Sequence, residues 1–380
     1  MHCTCALHLP GTDIYLRHRM PVSQLAPDSA VSGRVMPGPP DDEFQSRMLA
    51  GVSRTFALTI PVLPPPLARV VSNAYLLCRV VDTIEDEPSL GVATKRELAA
   101  SFVASVEGTA PPAAFAQALA PRLSAATLPA ERELVAESAQ LLAITHSFSS
   151  VEQTALAACV RVMVDGMIRF QAANDGRGLA DVATLDRYCY HVAGVVGEML
   201  TRLFAVHSPA IAARAEHMMP LAVSFGAGLQ MTNILKDVWT DLERGACWLP
   251  RDVFAREGFD LDRIAEGPGD LRFRRGMRSL VAKAHRHLRD ALEYTLMVPS
   301  SERGIRNFCL WAIGMAVLTL RKIHDRPGFR SGEEVKISRR SVRATVAASR
   351  VAARRDAAVR MLFGAAAAGL PIEPTQSVAA

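Results

Sequence analysis

Apolar residues recur along this chain at intervals of three and four, the period of an α-helix, and nowhere settle into the alternation of a half-buried strand. The pattern predicts helices in series. One opens near Asp42-Glu43 and runs past Met48, and a long one, Leu67 to Asp86, is broken by Glu87-Pro88. Lys95 to Val106, Glu131 to Phe148 and Val151 to Ala173 follow, the last ended by Asp175-Gly-Arg-Gly178. Asp186 to Phe204 and Pro220 to Leu242 are apolar nearly all round, which places them at the centre of a bundle. A Pro/Gly-rich loop then leads to Leu271 to Leu296, Arg303 to His324 and Ser338 to Phe363. The predicted class is all-α, one large helical bundle over residues 42–363. Residues 1–41 read as a poorly ordered N-terminal tail and residues 364–380 as a frayed Ala/Pro tail.

Composition narrows the class without naming a function. With 49% hydrophobic and 21% charged residues over 380 positions, the chain can bury a large core. The excess of 43 Lys+Arg over 38 Asp+Glu is small, and no basic block is interleaved with aromatics, so no nucleic-acid partner is expected. The seven cysteines are scattered and match no zinc or disulfide spacing, which fits a reducing cytoplasm. The longest apolar run, Phe308 to Leu320, is too short for a membrane span of about 20 residues. The start of the chain also lacks the apolar core of a signal peptide. A soluble, cytoplasmic protein is expected, at most peripheral to a membrane. Arg272, Arg274, Arg275 and Arg278 form a basic run that suits either solvent or anionic lipid.

Two acidic clusters interrupt the apolar pattern. Asp82, Glu85 and Asp86 fall at i, i+3 and i+4 and share one helix face; Asn233, Asp237 and Asp241 repeat the ladder on a later helix. Like charges so placed repel unless a cation neutralises them. Oxygen-only clusters suit Mg2+, which binds a few carboxylates together with phosphate oxygens. Two facing ladders would grip a diphosphate through bridging metal ions. For a lone cluster a solvated helix face is the commoner explanation, and it is the pairing inside apolar sequence that argues against it.

Five ordered stretches carry a resemblance: Ser53-Arg-Thr-Phe-Ala57, Cys78-Arg-Val-Val-Asp-Thr-Ile-Glu-Asp86, Tyr188-Cys-Tyr-His-Val-Ala-Gly194, Leu229-Gln-Met-Thr-Asn-Ile-Leu-Lys-Asp237 through Asp241, and Arg244-Gly245 with Trp248-Leu-Pro250. Together they resemble the squalene and phytoene synthases, the head-to-head branch of the all-helical trans-prenyltransferases, over about residues 45 to 350. Val192 to Gly197, Asn307-Phe-Cys309 and the basic Val335-Lys-Ile-Ser-Arg-Arg340 are closer to the squalene type.

The resemblance implies a bundle around a central apolar cavity and a reaction that joins two farnesyl diphosphates to presqualene diphosphate, then reduces it to squalene with NADPH. It implies Asp82, Glu85, Asp86, Asn233, Asp237 and Asp241 as Mg2+ and diphosphate ligands. Ser53, Arg54, Phe56, Arg79, Gln230 and Arg244 would bind substrate, and Tyr75, Tyr188 and Phe308 would border the reacting carbons. Arg54, Arg79, Lys236, Lys336, Arg339 and Arg340 would hold NADPH. Lys236 stands where the family usually carries arginine, a point charge in place of a fork, and Ser338 stands at a usually basic position. The alternatives are a synthase that stops at presqualene diphosphate, dehydrosqualene or phytoene, and a non-catalytic scaffold that kept the fold.

Overall fold

The structure, a computed structural model, describes residues 39–373. Nine of its helices reach 13 residues or more. They are α1 (Pro39–Val52), α2 (Pro65–Asp86), α3 (Val92–Val106), α4 (Ser150–Ala173), α5 (Val195–His207), α6 (Ala215–Glu243), α7 (Leu271–Met297), α8 (Arg303–Asp325) and α9 (Arg339–Ala352). Among the described residues no strand forms, and the β contact is an isolated parallel bridge between Leu179 and Pro250. No helix of these residues is long and apolar enough to cross a membrane.

The apolar faces collect into two large clusters. Helices α1 to α5 bury Leu76, Leu77, Phe102, Leu156 and Phe204 in one; α6, α7 and α8 bury Leu235, Met277, Leu288 and Val317 in the other. Val192 and Phe225 pack against both and form the seam. The longest helix, α6, is the hub, packing chiefly on α7 and also on α5 and α8. Its close approach to the preceding segment depends on missing side chains. A Cβ on Gly226 would lie 2.2 Å from the Ala193 carbonyl oxygen, and one on Gly197 would lie 2.2 Å from that of Ala222. These are backbone atoms, which cannot swing aside.

Several boundaries differ from the sequence expectation. The first helix opens at Pro39, inside the expected tail, while the remainder of residues 1–41 lies outside the described residues. Glu131 to Phe148 is two helices, Pro129–Ala136 and Ser138–His146, broken at Glu137 without a glycine or proline to announce it. Asp186 to Phe204 is interrupted by a π turn, Tyr190–Gly194, which bulges against α4. There Gly166 makes room for His191, whose ring meets the Val162 carbonyl (3.1 Å) and Arg169 (3.1 Å). Ser338 to Phe363 divides into α9 and Asp356–Ala366. The frayed tail expected from residue 364 is docked through residue 373. Leu370 is buried, the Pro371 carbonyl meets His285 Nδ1 (2.8 Å), and Glu373 pairs with Arg286 (2.7 Å).

Between α6 and α7 lies a half-buried polar chain centred on the buried His287. Ser224 Oγ donates to Asp290 (2.6 Å), so His287 Nδ1–H donates to Ser224 (2.7 Å) and Nε2 accepts from Arg286 (3.2 Å). That tautomer is the one a neutral ring requires. Burial, then the Arg286 and Lys283 charges, hold the His287 pKa down to about 3.

Two outcomes follow. Gly226→Ala is expected to lose about 1–3 kcal/mol by overpacking, read as a lower urea midpoint, whereas Gly364→Ala, with open space around it, should not. For His287 the unfolded chain binds a proton between about pH 6.5 and pH 3 that the folded chain refuses. Its contribution is therefore intact above about pH 6.5 and declines as pH falls toward 3, by about 1.4 kcal/mol per pH unit. Urea titrations across that range should give His287→Gln a flatter acid limb than the wild type; parallel limbs would rule this out.

Candidate active site

Helix α2 ends on its own acids. Asp82, Glu85 and Asp86 occupy its last turns and no basic residue shares the final one. Asp237 and Asp241 sit near the end of α6, again with no basic residue in the last turn. A helix C-terminus already carries the negative end of the backbone dipole, so both placements are unfavourable in isolation. The two ends lie together. Glu85 is pushed up to about 8 by burial and then by Asp86, Asp82 and, across the gap, Asp241. Asp241 is pushed up to about 6 by burial, with Asp237 and Asp86 adding to it. Burial pushes Asp82 to about 6 despite the nearby Arg79 guanidinium. Asp86 is raised by burial and eased by Arg244, the C-cap of α6, and by Arg79.

Cations surround the acids without cancelling them. Arg79 reaches Asp82 (3.4 Å) and pairs with Glu131, a buried carboxylate on the helix Pro129–Ala136. Lys236 pairs with its neighbour Asp237 (3.0 Å). Lys95, only 6% exposed on α3, donates to the Glu85 carbonyl and to Gln171 Oε1 (3.0 Å), while Gln171 Nε2 donates to the same carbonyl (2.8 Å). The last carbonyls of a helix lack intrahelical partners, and this clamp from α3 and α4 supplies one for α2. Glu87, next in sequence, is no part of the ladder. Burial would raise it, but Thr127, Ser124 and Ser89 donate to its carboxylate and hold it down to about 2.

Aromatic rings complete the surroundings. Tyr188 stacks on Trp248 with centroids 4.0 Å apart and planes 4° from parallel, and Phe170 meets it edge-on at 5.4 Å. Burial raises Tyr188 well above the usual tyrosine range, and the charges of Glu85, Asp241 and Asp82 add to it. Trp248 is held by a strap: Asn174 exchanges hydrogen bonds with the backbone of Cys247 (3.1 and 3.2 Å), and Leu179 N–H donates to the Leu249 carbonyl (2.9 Å).

The remaining expected residues divide by location. Ser53 caps the helix Arg54–Thr59, accepting from Phe56 N–H (3.1 Å), and the Phe56 ring packs on Tyr75 at 4.5 Å, one turn before Arg79. The Arg54 side chain lies outside what the structure describes. Gln230 and Asn233 precede the acids on α6. Phe308 lies edge-on to Phe204 at 6.3 Å in the first apolar cluster, against which Phe56 and Tyr75 also pack. Lys336 pairs with Glu333 (2.6 Å), and Arg339 and Arg340 are exposed in the first turn of α9 behind the Ser338 cap. Gly332, just ahead of them, sits so close to α6 that a Cβ there would be 3.4 Å from Asp237 Oδ1. Lys95, Gln171, Glu131 and Trp248 are the site neighbours to which sequence reading gave no role.

The donor set fits Mg2+: all oxygen, with excess negative charge that neighbouring cations leave standing. Among the described residues no three His, Cys, Asp or Glu side chains close on one point. An ion here would thus take one or two carboxylates and complete its shell from diphosphate or water, as Mg2+ does. Exposed guanidiniums at a helix start, where the dipole favours anions, fit a phosphate group.

Comparison with known proteins agrees with this geometry. Residues 49–341 match the squalene/phytoene synthase family, and the chain belongs to that family. It is 28% identical to squalene synthase ERG9 of Candida albicans over 289 residues, covering 72% of this chain and 60% of that protein. It is 26% identical to the squalene synthase of Schizosaccharomyces pombe, covering 78% and 64%. The chain thus spans about three fifths of the length of these curated relatives. The solved structure of TcSQS with the ligand BPH1237 shares the fold, with a TM-score of 0.69 and 23% identity over 86% of this chain and 98% of that one.

Asp241→Asn should stabilise the metal-free protein slightly, by about 0.5 kcal/mol for the repulsion relieved. It should also remove most of the rise in melting temperature that Mg2+ with inorganic diphosphate produces. A wild-type rise in the variant would take Asp241 out of the ligand set.

Proposed function

We propose that this member of the squalene/phytoene synthase family is a squalene synthase-like enzyme that joins two farnesyl diphosphates head to head and reduces the product. The observation that carries the proposal is the meeting of two acid-bearing helix ends beside the Phe170, Tyr188 and Trp248 rings. Asp82, Glu85 and Asp86 would hold Mg2+ on one side, and Asn233, Asp237 and Asp241 on the other. Bound Mg2+ would supply the Lewis-acid charge that makes diphosphate a good leaving group.

The chain's own groups do the rest. Arg79, tied to Glu131, and Arg244 at the end of α6 present guanidiniums to diphosphate oxygens. The Lys95–Gln171 clamp fixes the end of α2 so that its carboxylates stay in register. When the first farnesyl diphosphate ionises, its allylic cation is attacked by the double bond of the second. Proton loss then closes presqualene diphosphate, with one diphosphate released. Aromatic faces stabilise such cations, and Tyr188 is the ring best placed for it. Its raised pKa keeps the hydroxyl protonated, so the released diphosphate is the better proton acceptor. Apolar packing at the seam of Val192 and Phe225 keeps water from the cations.

Loss of the second diphosphate and rearrangement leave a cation that one hydride converts to squalene. NADPH would supply that hydride, with its phosphates on Arg339, Arg340 and Lys336. Gly332 beside Asp237 supports this assignment, because it brings the basic segment to the second ladder.

Incubation of the purified protein with farnesyl diphosphate and Mg2+, with and without NADPH, tests the proposal. Squalene formed only with NADPH is the expected result. Dehydrosqualene, phytoene or presqualene diphosphate, unchanged by NADPH, would replace the reductive reading with a non-reducing one. No product, together with an unaltered cellular role for Asp82→Ala/Asp237→Ala, would mark a scaffold. Arg340→Glu should raise the KM for NADPH about tenfold or more, the loss of one charge-assisted contact, with the first half-reaction unchanged.

A further inference from the structure

We propose that the outer face of α9, with the turn that follows it, docks on a membrane surface bearing anionic lipid headgroups. From Val335 to Arg355 the sequence holds seven basic residues and no acid, more than the formal charge of +5 on the whole chain. The rest of the molecule is therefore slightly acidic, and the basic character is local. Arg339, Arg340, Arg343, Ala344, Ala347, Arg350 and Val351 are all exposed and fall at spacings of three, four and seven, on one face of α9. The opposite face packs on α8, where Gly314 makes room for Thr345. Arg354 and Arg355 extend the exposed stripe into the turn.

Pairing separates this stripe from the arginine run on α7. There Arg272 pairs with Asp270 (2.6 Å), Arg275 with Glu257 (2.6 Å), and Arg274 donates to the Pro268 carbonyl (2.9 Å). Two of those four charges are thus paired with carboxylates and a third is held on a carbonyl, so that run is more nearly compensated than the stripe on α9. Among the described residues no arginine from 339 to 355 is paired with a carboxylate; Arg350 lies over the Trp311 ring at 5.3 Å. Like charges held side by side on one face call for an extended anionic partner.

The partner is narrowed by what accompanies the charge. Val351 is 83% exposed, and Met361, on the following helix Asp356–Ala366, is 73% exposed. Apolar side chains beside arginines suit the headgroup and acyl boundary, where guanidiniums reach phosphate while aliphatic groups enter the hydrocarbon edge. A nucleic acid would call for interleaved aromatic or polar readers, and the stripe has only alanine and valine between its arginines. Arg339 and Arg340 are shared with the NADPH assignment above, so the variants below leave them in place, and the readout is vesicle binding, which does not depend on turnover.

The test is co-sedimentation of the full chain with vesicles of phosphatidylcholine alone and of phosphatidylcholine mixed with phosphatidylglycerol. Binding to the mixed vesicles only, released by salt, is expected. Each arginine near an anionic surface contributes about a fivefold change in partitioning, so Arg343→Gln/Arg354→Gln/Arg355→Gln should weaken binding on the order of a hundredfold. Val351→Asp should weaken it further. Hydrogen exchange on the wild type, which depends on no variant folding, should show vesicle-dependent protection in residues 339–361. Equal binding to neutral vesicles, an unaffected triple variant, protection confined to other segments, or binding to RNA with none to vesicles would each overturn the proposal.

Discussion

Two helices end in the same place with their acids foremost, and most of the structure around them is what makes that tolerable. The C-termini of α2 and α6 each bring the negative end of a dipole and a set of carboxylates, and burial adds to the repulsion instead of relieving it. Isolated, the arrangement would separate or protonate. The fold holds it by fixing the helices from behind: the Lys95–Gln171 clamp seizes the Glu85 carbonyl near the end of α2, and Gly226 and Gly197 let α6 close on the π turn and on α5 backbone to backbone. What is left at the front is a set of carboxylates whose negative charge the neighbouring cations leave standing.

The same locking explains the aromatic wall. Tyr188 is the penultimate residue of the helix Val182–Cys189, just before the π turn that leads into α5. Trp248 approaches from the opposite direction on a loop that has no helix to stiffen it. Asn174 does that work, bonding both backbone polar groups of Cys247 with one side-chain amide. The two stacked rings thus come from two separately fixed stretches of backbone.

What could be read from the chain followed the range of the interactions. The ladders were legible because i, i+3, i+4 spacing is written in adjacent residues, and the all-α class because apolar periodicity is local too. Lys95 gave no signal beyond standing at the start of an amphipathic helix; its meaning depends on Gln171, 76 positions away. Glu131 looked like an ordinary helix-opening acid until Arg79 reached it across 52 positions. Trp248 stood inside a recognised motif, but its role needed Tyr188 and the Asn174 strap. The break at Glu137 carried no glycine or proline marker, the π turn held only Gly194 at its end inside apolar sequence that reads as continuous helix, and the docking of residues 364–373 rests on a few contacts from an alanine-rich stretch. Glu87 shows the opposite error in prospect: it continues the acid run in sequence and leaves it in space.

The clamp on α2 also bears on the order in which the site is assembled. Lys95 closes on Glu85 across only ten residues, a loop whose closure costs little entropy. The corresponding anchor near the second ladder, Trp239 donating to the Phe329 carbonyl, spans ninety. Contacts that close short loops form early, and those that close long ones wait for the rest of the chain. The first acid cluster therefore has one anchor whose loop closes at little entropic cost, whereas the second depends on a contact that only a nearly complete chain can make.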